Sequence, residues 1–230
     1  AGSGSELVRF DVSTGKARSL RCAHAGLLEE ADTSYPEPIA FETSGAETAY
    51  GFFYPPKNHA YAAPAGTKPP LIVLVHGGPT AGAAATWNAT VQYFTTRGFA
   101  VLDVNYRGSS GFGRAYRDRL RGEWGVLDVD DCVAGARHLA ALGRVDAARL
   151  AIRGGSAGGY TVLQALAEHD VFAAGSCHYG ISDLEALARD THKFESRYDR
   201  FLIGPYPERR DLFVARSPIH YVERISKPVI

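Results

Sequence analysis

"RLAIRGGSAGGYTVLQALAE", residues 149–168, changes character at its midpoint. An apolar run gives way to glycines around one serine, and apolar residues then recur at helical spacing through residues 157–168. Gly154-Gly155-Ser156-Ala157-Gly158 fits G-x-S-x-G, with a strand before it and a helix after it. Such a strand-to-helix turn forces the serine into a strained backbone conformation. Its neighbours crowd so closely that only residues without a Cβ fit. Ser156 then projects at a helix N-terminus, where free N–H groups can stabilise a developing oxyanion. The bland alternative is that the glycines only let the helix pack tightly on the strand, and the pentapeptide by itself does not separate the two.

Working outward, the period of the sequence is β-α-β. "PPLIVLVHGG" (69–78) is a continuous apolar run ending in glycines, as in a parallel strand covered on both faces. A helical stretch in "TWNATVQYFTTRG" leads to a second such strand, "FAVLDVNY". Helical segments over 113–121 and 129–142, a strand in "RLAIRG", the helix 157–168 and a strand in "FAAGSCHYG" follow. Helices over 184–189 and 210–216 precede "KPVI", which reads as the start of a further buried strand. This alternation predicts an open, mostly parallel, doubly wound α/β sheet with helices on both faces. Before it, "PIAFETSGAETAYGFFYPP" gives two strands around Ser44-Gly45, and "LVRFDVSTGKARSL" gives a lone hairpin. We therefore expect a hairpin unit over residues 1–30 and an α/β domain over 31–230.

His76-Gly77-Gly78-Pro79 directly follows the first buried strand, where an α/β-hydrolase places the loop carrying its second oxyanion donor. Gly78 would offer its N–H with no side chain in the way. His76 itself is expected to be a satisfied, hydrogen-bonded strand-end histidine.

Composition bounds the rest. The 230 residues are 45% hydrophobic and carry 25 Lys+Arg against 25 Asp+Glu, a balance that suggests neither nucleic acid nor a membrane surface as partner. No apolar run approaches the roughly 20 residues a membrane helix needs. Cys22, Cys132 and Cys177 lack metal-ligand spacing and make an odd number, against a disulfide framework or a zinc site. No cofactor or metal is implied, and a cytoplasmic setting is the default. Asp128, Asp130 and Asp131 in "LDVDDC" are expected to serve a helix start. "YRGSSGFG" lacks a phosphate-loop pattern, and "THKFESRYDR" reads as a solvated, partly helical face.

"VHGGPT", "LDVNYRGSSGFGRAYRDRL", "GEWGVLDVDDC", "RLAIRGGSAGGY" and "ARSPIHYVERISKPVI", in this order, resemble the catalytic domain of the prolyl oligopeptidase family of serine peptidases, its acylaminoacyl-peptidase-like branch above all. The resemblance covers about residues 36–230. It implies an α/β-hydrolase peptidase domain acting on short peptides, with Ser156 as nucleophile and the N–H groups of Gly78 and Ala157 as oxyanion hole. It places the 106–113 loop near the active-site entrance, with Tyr106 and Arg107 as substrate-binding candidates. Other branches carry a tyrosine where His76 stands and use its hydroxyl as donor. The 1–30 hairpin would be the end of an upstream β-propeller, and an oligomer is compatible with the reading.

A serine hydroxyl needs a histidine to take its proton and an acid to hold that histidine, in the chain order Ser, acid, His for this fold. After Ser156 the acids are Asp170, Asp183, Asp190, Asp199 and Asp211, and the histidines are His169, His178, His192 and His220. Asp183 follows a strand, but the resemblance puts both partners beyond "KPVI". The sheet is thus expected to be incomplete at the C-terminus, and the 230-residue chain alone to be inactive. Two rivals remain, an esterase of the same fold and a non-catalytic fragment.

Overall fold

The computed structural model describes residues 5–23 and 28–230. β1 (Glu6–Asp11) and β2 (Lys16–Cys22) form an antiparallel hairpin that is a sheet of its own. Its turn is built locally: the Asp11 carboxylate accepts the N–H groups of Ser13 and Thr14, each at 3.0 Å, and Gly15 supplies φ 66°. Leu7, Phe10, Val12 and Leu20 on this hairpin are all more than half exposed.

The other strands make one six-stranded sheet in the order β3-β4-β6-β5-β7-β8. β3 (Glu37–Thr43) and β4 (Glu47–Tyr54) pair antiparallel across a turn in which Gly45 has φ 74°, and β4 runs antiparallel to β6 (Ala100–Asn105). β6, β5 (Leu71–Val75), β7 (Leu150–Gly155) and β8 (Ala174–His178) are parallel. Parallel neighbours require crossovers, and α1 (Ala89–Thr95), α3 (Leu127–Ala141) and α4 (Ala157–Glu168) provide them. α2 (Arg114–Asp118) is a short turn of helix before α3, and α5 (Leu184–Asp190), α6 (Tyr198–Leu202) and α7 (Arg210–Ala215) follow β8.

The core lies on the face covered by α3 and α4. Leu71, Val73, Leu102, Val104, Leu150 and Ile152 point into it from the strands, and Val129, Val133, Leu139, Val162 and Leu166 meet them from the helices. Fully burying each such side chain is worth about 1.5–3 kcal/mol. α1 covers the opposite face, where Val91, Val101 and Tyr54 form a smaller cluster. The "KPVI" segment does continue the sheet: Gly175 N–H donates to the Pro228 carbonyl at 3.0 Å, Cys177 N–H to the Ile230 carbonyl at 2.7 Å, and Val229 bridges Gly175 in parallel. Val229 is half-buried there and packs against the main core. The topology brings the C-terminal ends of β5, β7 and β8, with the loops that leave them, to one edge.

Candidate active site

Ser156 stands between the last residue of β7 and the first of α4, with φ 55° and ψ −123°. A non-glycine residue at positive φ is strained and persists only where its surroundings impose it. Here they do. Ser156 N–H donates to the His178 carbonyl at 3.0 Å, and the Ser156 carbonyl accepts Tyr160 N–H at 3.1 Å. The flanking glycines serve close approach rather than unusual torsions. A Cβ on Gly154 would lie 2.4 Å from the Gly158 carbonyl oxygen, one on Gly158 2.2 Å from the Val75 carbonyl oxygen, and one on Gly159 2.7 Å from Gly180 Cα. Ser156 itself is exposed. Ala157 N–H, at the start of α4, has no partner within the helix and is free to face an anion.

The loop leaving β5 presses on this turn. A Cβ on Gly77 would sit 3.1 Å from the Gly155 carbonyl oxygen, 3.5 Å from Ser156 Cβ and 4.0 Å from the Ala157 nitrogen. Gly78 follows at φ 77°. Its carbonyl accepts Thr80 N–H at 2.6 Å and the Tyr198 hydroxyl at 2.9 Å, while the next carbonyl, of Pro79, accepts the Tyr106 hydroxyl at 2.7 Å. Two tyrosines thus hold successive carbonyls of the loop that carries the Gly78 N–H. His76 stacks on Tyr106 with ring centroids 4.3 Å apart, and its Nε2 lies 2.8 Å from the Ser109 hydroxyl. Burial depresses its pKa, so the ring serves as a neutral, satisfied strand-end histidine.

The structure gives Tyr106 and Arg107 another place than the expected contact with substrate. Tyr106 is fully buried beneath the Gly78 loop. Arg107 is 3% exposed, and all five of its side-chain N–H groups have acceptors. Nε faces Asp131 at 3.0 Å. Nη1 reaches the Ser44 carbonyl at 3.1 Å and Glu47 at 3.2 Å, and Nη2 reaches the Ser44 hydroxyl and Asp131, both at 2.7 Å. Arg107 ties the β3–β4 turn to α3 and has no donor left for a ligand. Of "LDVDDC", Asp128 and Asp130 stand in the first turn of α3 as expected, while Asp131 lies beyond it. Val126 is the residue at the start of α3 and has no side-chain cap. Asp128 instead accepts Gly125 N–H at 2.7 Å and the Thr161 hydroxyl of α4, and burial raises its pKa to about 6.

No described histidine ring is hydrogen-bonded to the Ser156 hydroxyl. His178 Nε2 lies 2.9 Å from the Ser176 hydroxyl, His192 faces Glu195 at 3.6 Å, and His220 is exposed. Three of the candidate acids are engaged elsewhere too, Asp211 by Arg209 at 3.2 Å. Asp183 caps α5 by accepting Glu185 and Ala186 N–H groups at 2.9 and 3.1 Å, and Asp170 pairs with Lys227 at 2.8 Å. Tyr198 is the site residue that sequence reasoning missed, because its role depends on a partner 120 residues away.

The sequence pattern of the prolyl oligopeptidase family, Peptidase_S9, matches residues 85–230. The chain is 33% identical over 167 residues to dipeptidyl peptidase family member 6 of Caenorhabditis elegans, covering 70% of this chain and 23% of that protein. It is 29% identical over 169 residues to an acylamino-acid-releasing enzyme of Arabidopsis thaliana, covering 70% and 22%. Among solved structures, a Mycobacterium tuberculosis puromycin-hydrolyzing peptidase superposes with TM-score 0.96 at 45% identity, over 98% of this chain and 34% of that one. An acylaminoacyl peptidase in complex with Z-Gly-Gly-Phe-chloromethyl ketone does so with TM-score 0.84 at 27% identity, over 97% and 35%. The chain therefore spans about a quarter of the length of these curated relatives and about a third of these solved chains.

Proposed function

Since the chain belongs to the prolyl oligopeptidase family, we propose that it carries the nucleophile and the oxyanion hole of a serine peptidase acting on short peptides. The observation that carries this reading is Ser156 at φ 55° on the β7–α4 turn, with the Gly77-Gly78 loop packed against it. In the proposed reaction the Ser156 hydroxyl attacks the scissile carbonyl carbon and passes its proton to a histidine. The carbonyl oxygen becomes an oxyanion between the N–H groups of Gly78 and Ala157. Collapse returns the proton to the leaving amine and leaves an acyl-enzyme, which water hydrolyses by the same steps in reverse order of bonds. The histidine and its acid are contributed from sequence outside these 230 residues. That assignment is supported by the absence of any described histidine bonded to Ser156 and by the chain's one-third coverage of the solved relatives.

The M. tuberculosis relative, named for hydrolysing puromycin, supports small amide substrates, and the exposed apolar side chains of the β1–β2 hairpin support a further body, a β-propeller, at that end. An esterase would use the same nucleophile and hole. The test is turnover of a chromogenic peptide amide and its matched ester by the full-length protein. Ser156→Ala should lower amide turnover about a million-fold, and an enzyme that cleaves only the ester would replace the peptidase reading.

A further inference from the structure

Immediately after Tyr198, α6 turns an acid into a half-open cavity, through which its carboxylate still reaches solvent. Asp199 is 9% exposed and lines a cavity of about 220 Å³ between α5, α6 and residues 204–208. Among the described residues its carboxylate has no hydrogen bond and no ion pair, although an ionised carboxylate offers about four acceptor sites. Even partial removal of such a charge from water without a partner is costly. Desolvation, with Glu195 adding repulsion, raises its pKa to about 6. The walls are fixed independently of it: Tyr206 donates to Glu185 at 3.2 Å, and Arg210 pairs with the same carboxylate at 2.6 Å. Glu208 and the exposed Arg197 and Arg200, which have no ion pair among the described residues, also line the cavity.

Such a site asks for a ligand that brings positive charge and N–H donors together. A divalent cation does not fit, since among the described residues no group of three His, Cys, Asp or Glu is assembled to hold one. The volume exceeds what a single water needs and suits a group the size of one amino-acid residue. We propose that this cavity binds a protonated primary amine of amino-acid size, with Asp199 accepting its N–H groups. The amine has two sources, the free amino end of a peptide substrate or a free amino compound. The first of these rests on the peptidase reading and the second does not.

Calorimetric titration of the full-length protein with glycinamide, and with N-acetylglycinamide as control, tests the site without any turnover. Glycinamide should bind at pH 7.5 and the acetylated control should not. Asp199→Asn, or a shift to pH 5 where the carboxyl holds its proton, should weaken binding about ten-fold or more. Ser156→Ala should leave it unchanged, so a failure of the peptidase reading leaves this test intact. Equal binding by Asp199→Asn, equal binding of the acetylated control, or no glycinamide binding by the wild type would each overturn the site. The last is the result expected if Arg197 or Arg200 folds inward onto Asp199. Kinetics then separate the sources: a KM raised about ten-fold by Asp199→Asn only for substrates with a free amino end assigns the site to substrate. Unchanged kinetics beside lost glycinamide binding assign it to a free amine.

Discussion

The turn carrying Ser156 and the α6 segment meet at the Gly78 loop, but they hold it by different means. On the turn side the contacts are backbone on backbone, with no room for a methyl group at Gly158, which meets the Val75 and His76 carbonyls, and little at Gly77, which meets the Gly155 carbonyl. On the α6 side the contact is one hydroxyl, from Tyr198, on the Gly78 carbonyl and the Thr80 hydroxyl, beside a half-open cavity. The first arrangement is rigid because it is steric. The second can be tuned, because a hydrogen bond contributes only about 1 kcal/mol net. The difference suggests a division of labour, with the turn fixing the nucleophile and α6 adjusting the loop that would receive the oxyanion.

Breaking the steric side should have the largest effect. Gly158→Ala places a Cβ 2.2 Å from the Val75 carbonyl oxygen, and we expect a stability loss above about 4 kcal/mol or no folded protein. Gly98→Ala, at φ 86° in open space, should cost only about 1 kcal/mol. Similar denaturant midpoints for the two variants would refute the steric account. An intermediate effect is expected at Asp128, which joins α3 to the α4 helix behind Ser156. Its pKa is raised by burial to about 6, so the folded state holds the proton more tightly than the unfolded chain. The stability this adds is complete below about pH 4 and is lost as the pH rises to about 6. Asp128 should contribute a fall on the order of 3 kcal/mol across that window in urea titrations, and Asp128→Asn should make the fall smaller by that amount, with buried Asp103 and Asp199 supplying the rest. The smallest effect belongs to α6. Tyr198→Phe should lower kcat about ten-fold with KM nearly unchanged and stability altered by less than about 1 kcal/mol. A KM change alone would mean that Tyr198 meets substrate rather than holding the loop.

What could be read from the sequence divides along the same line. The β-α-β alternation, the α4 boundaries 157–168 and the convergence of the two glycine loops were legible, because local periodicity and turn chemistry specify them. Arg107 was not, since a loop arginine in sequence gives no sign that Asp131, Glu47 and Ser44 will enclose it. "THKFESRYDR" looked like a solvated face, and most of it is exposed, yet its Tyr198 and Asp199 turn inward through contacts made only in the tertiary fold. Charge and polarity patterns report the average environment of such a segment, not the one or two side chains that depart from it.

The central claim, an assembled nucleophile that waits for a base from outside these 230 residues, is tested most directly by fluorophosphonate labelling. The full-length protein and the 230-residue chain would be treated side by side and the modified residue located by mass spectrometry. The expected result is rapid modification of Ser156 in the full-length protein, lost in Ser156→Ala, and little or none in the short chain. Equal labelling of Ser156 in both would place the base within this chain, with His178 and His220 the first candidates, while labelling of the full-length protein at any other residue would contradict the assignment of Ser156.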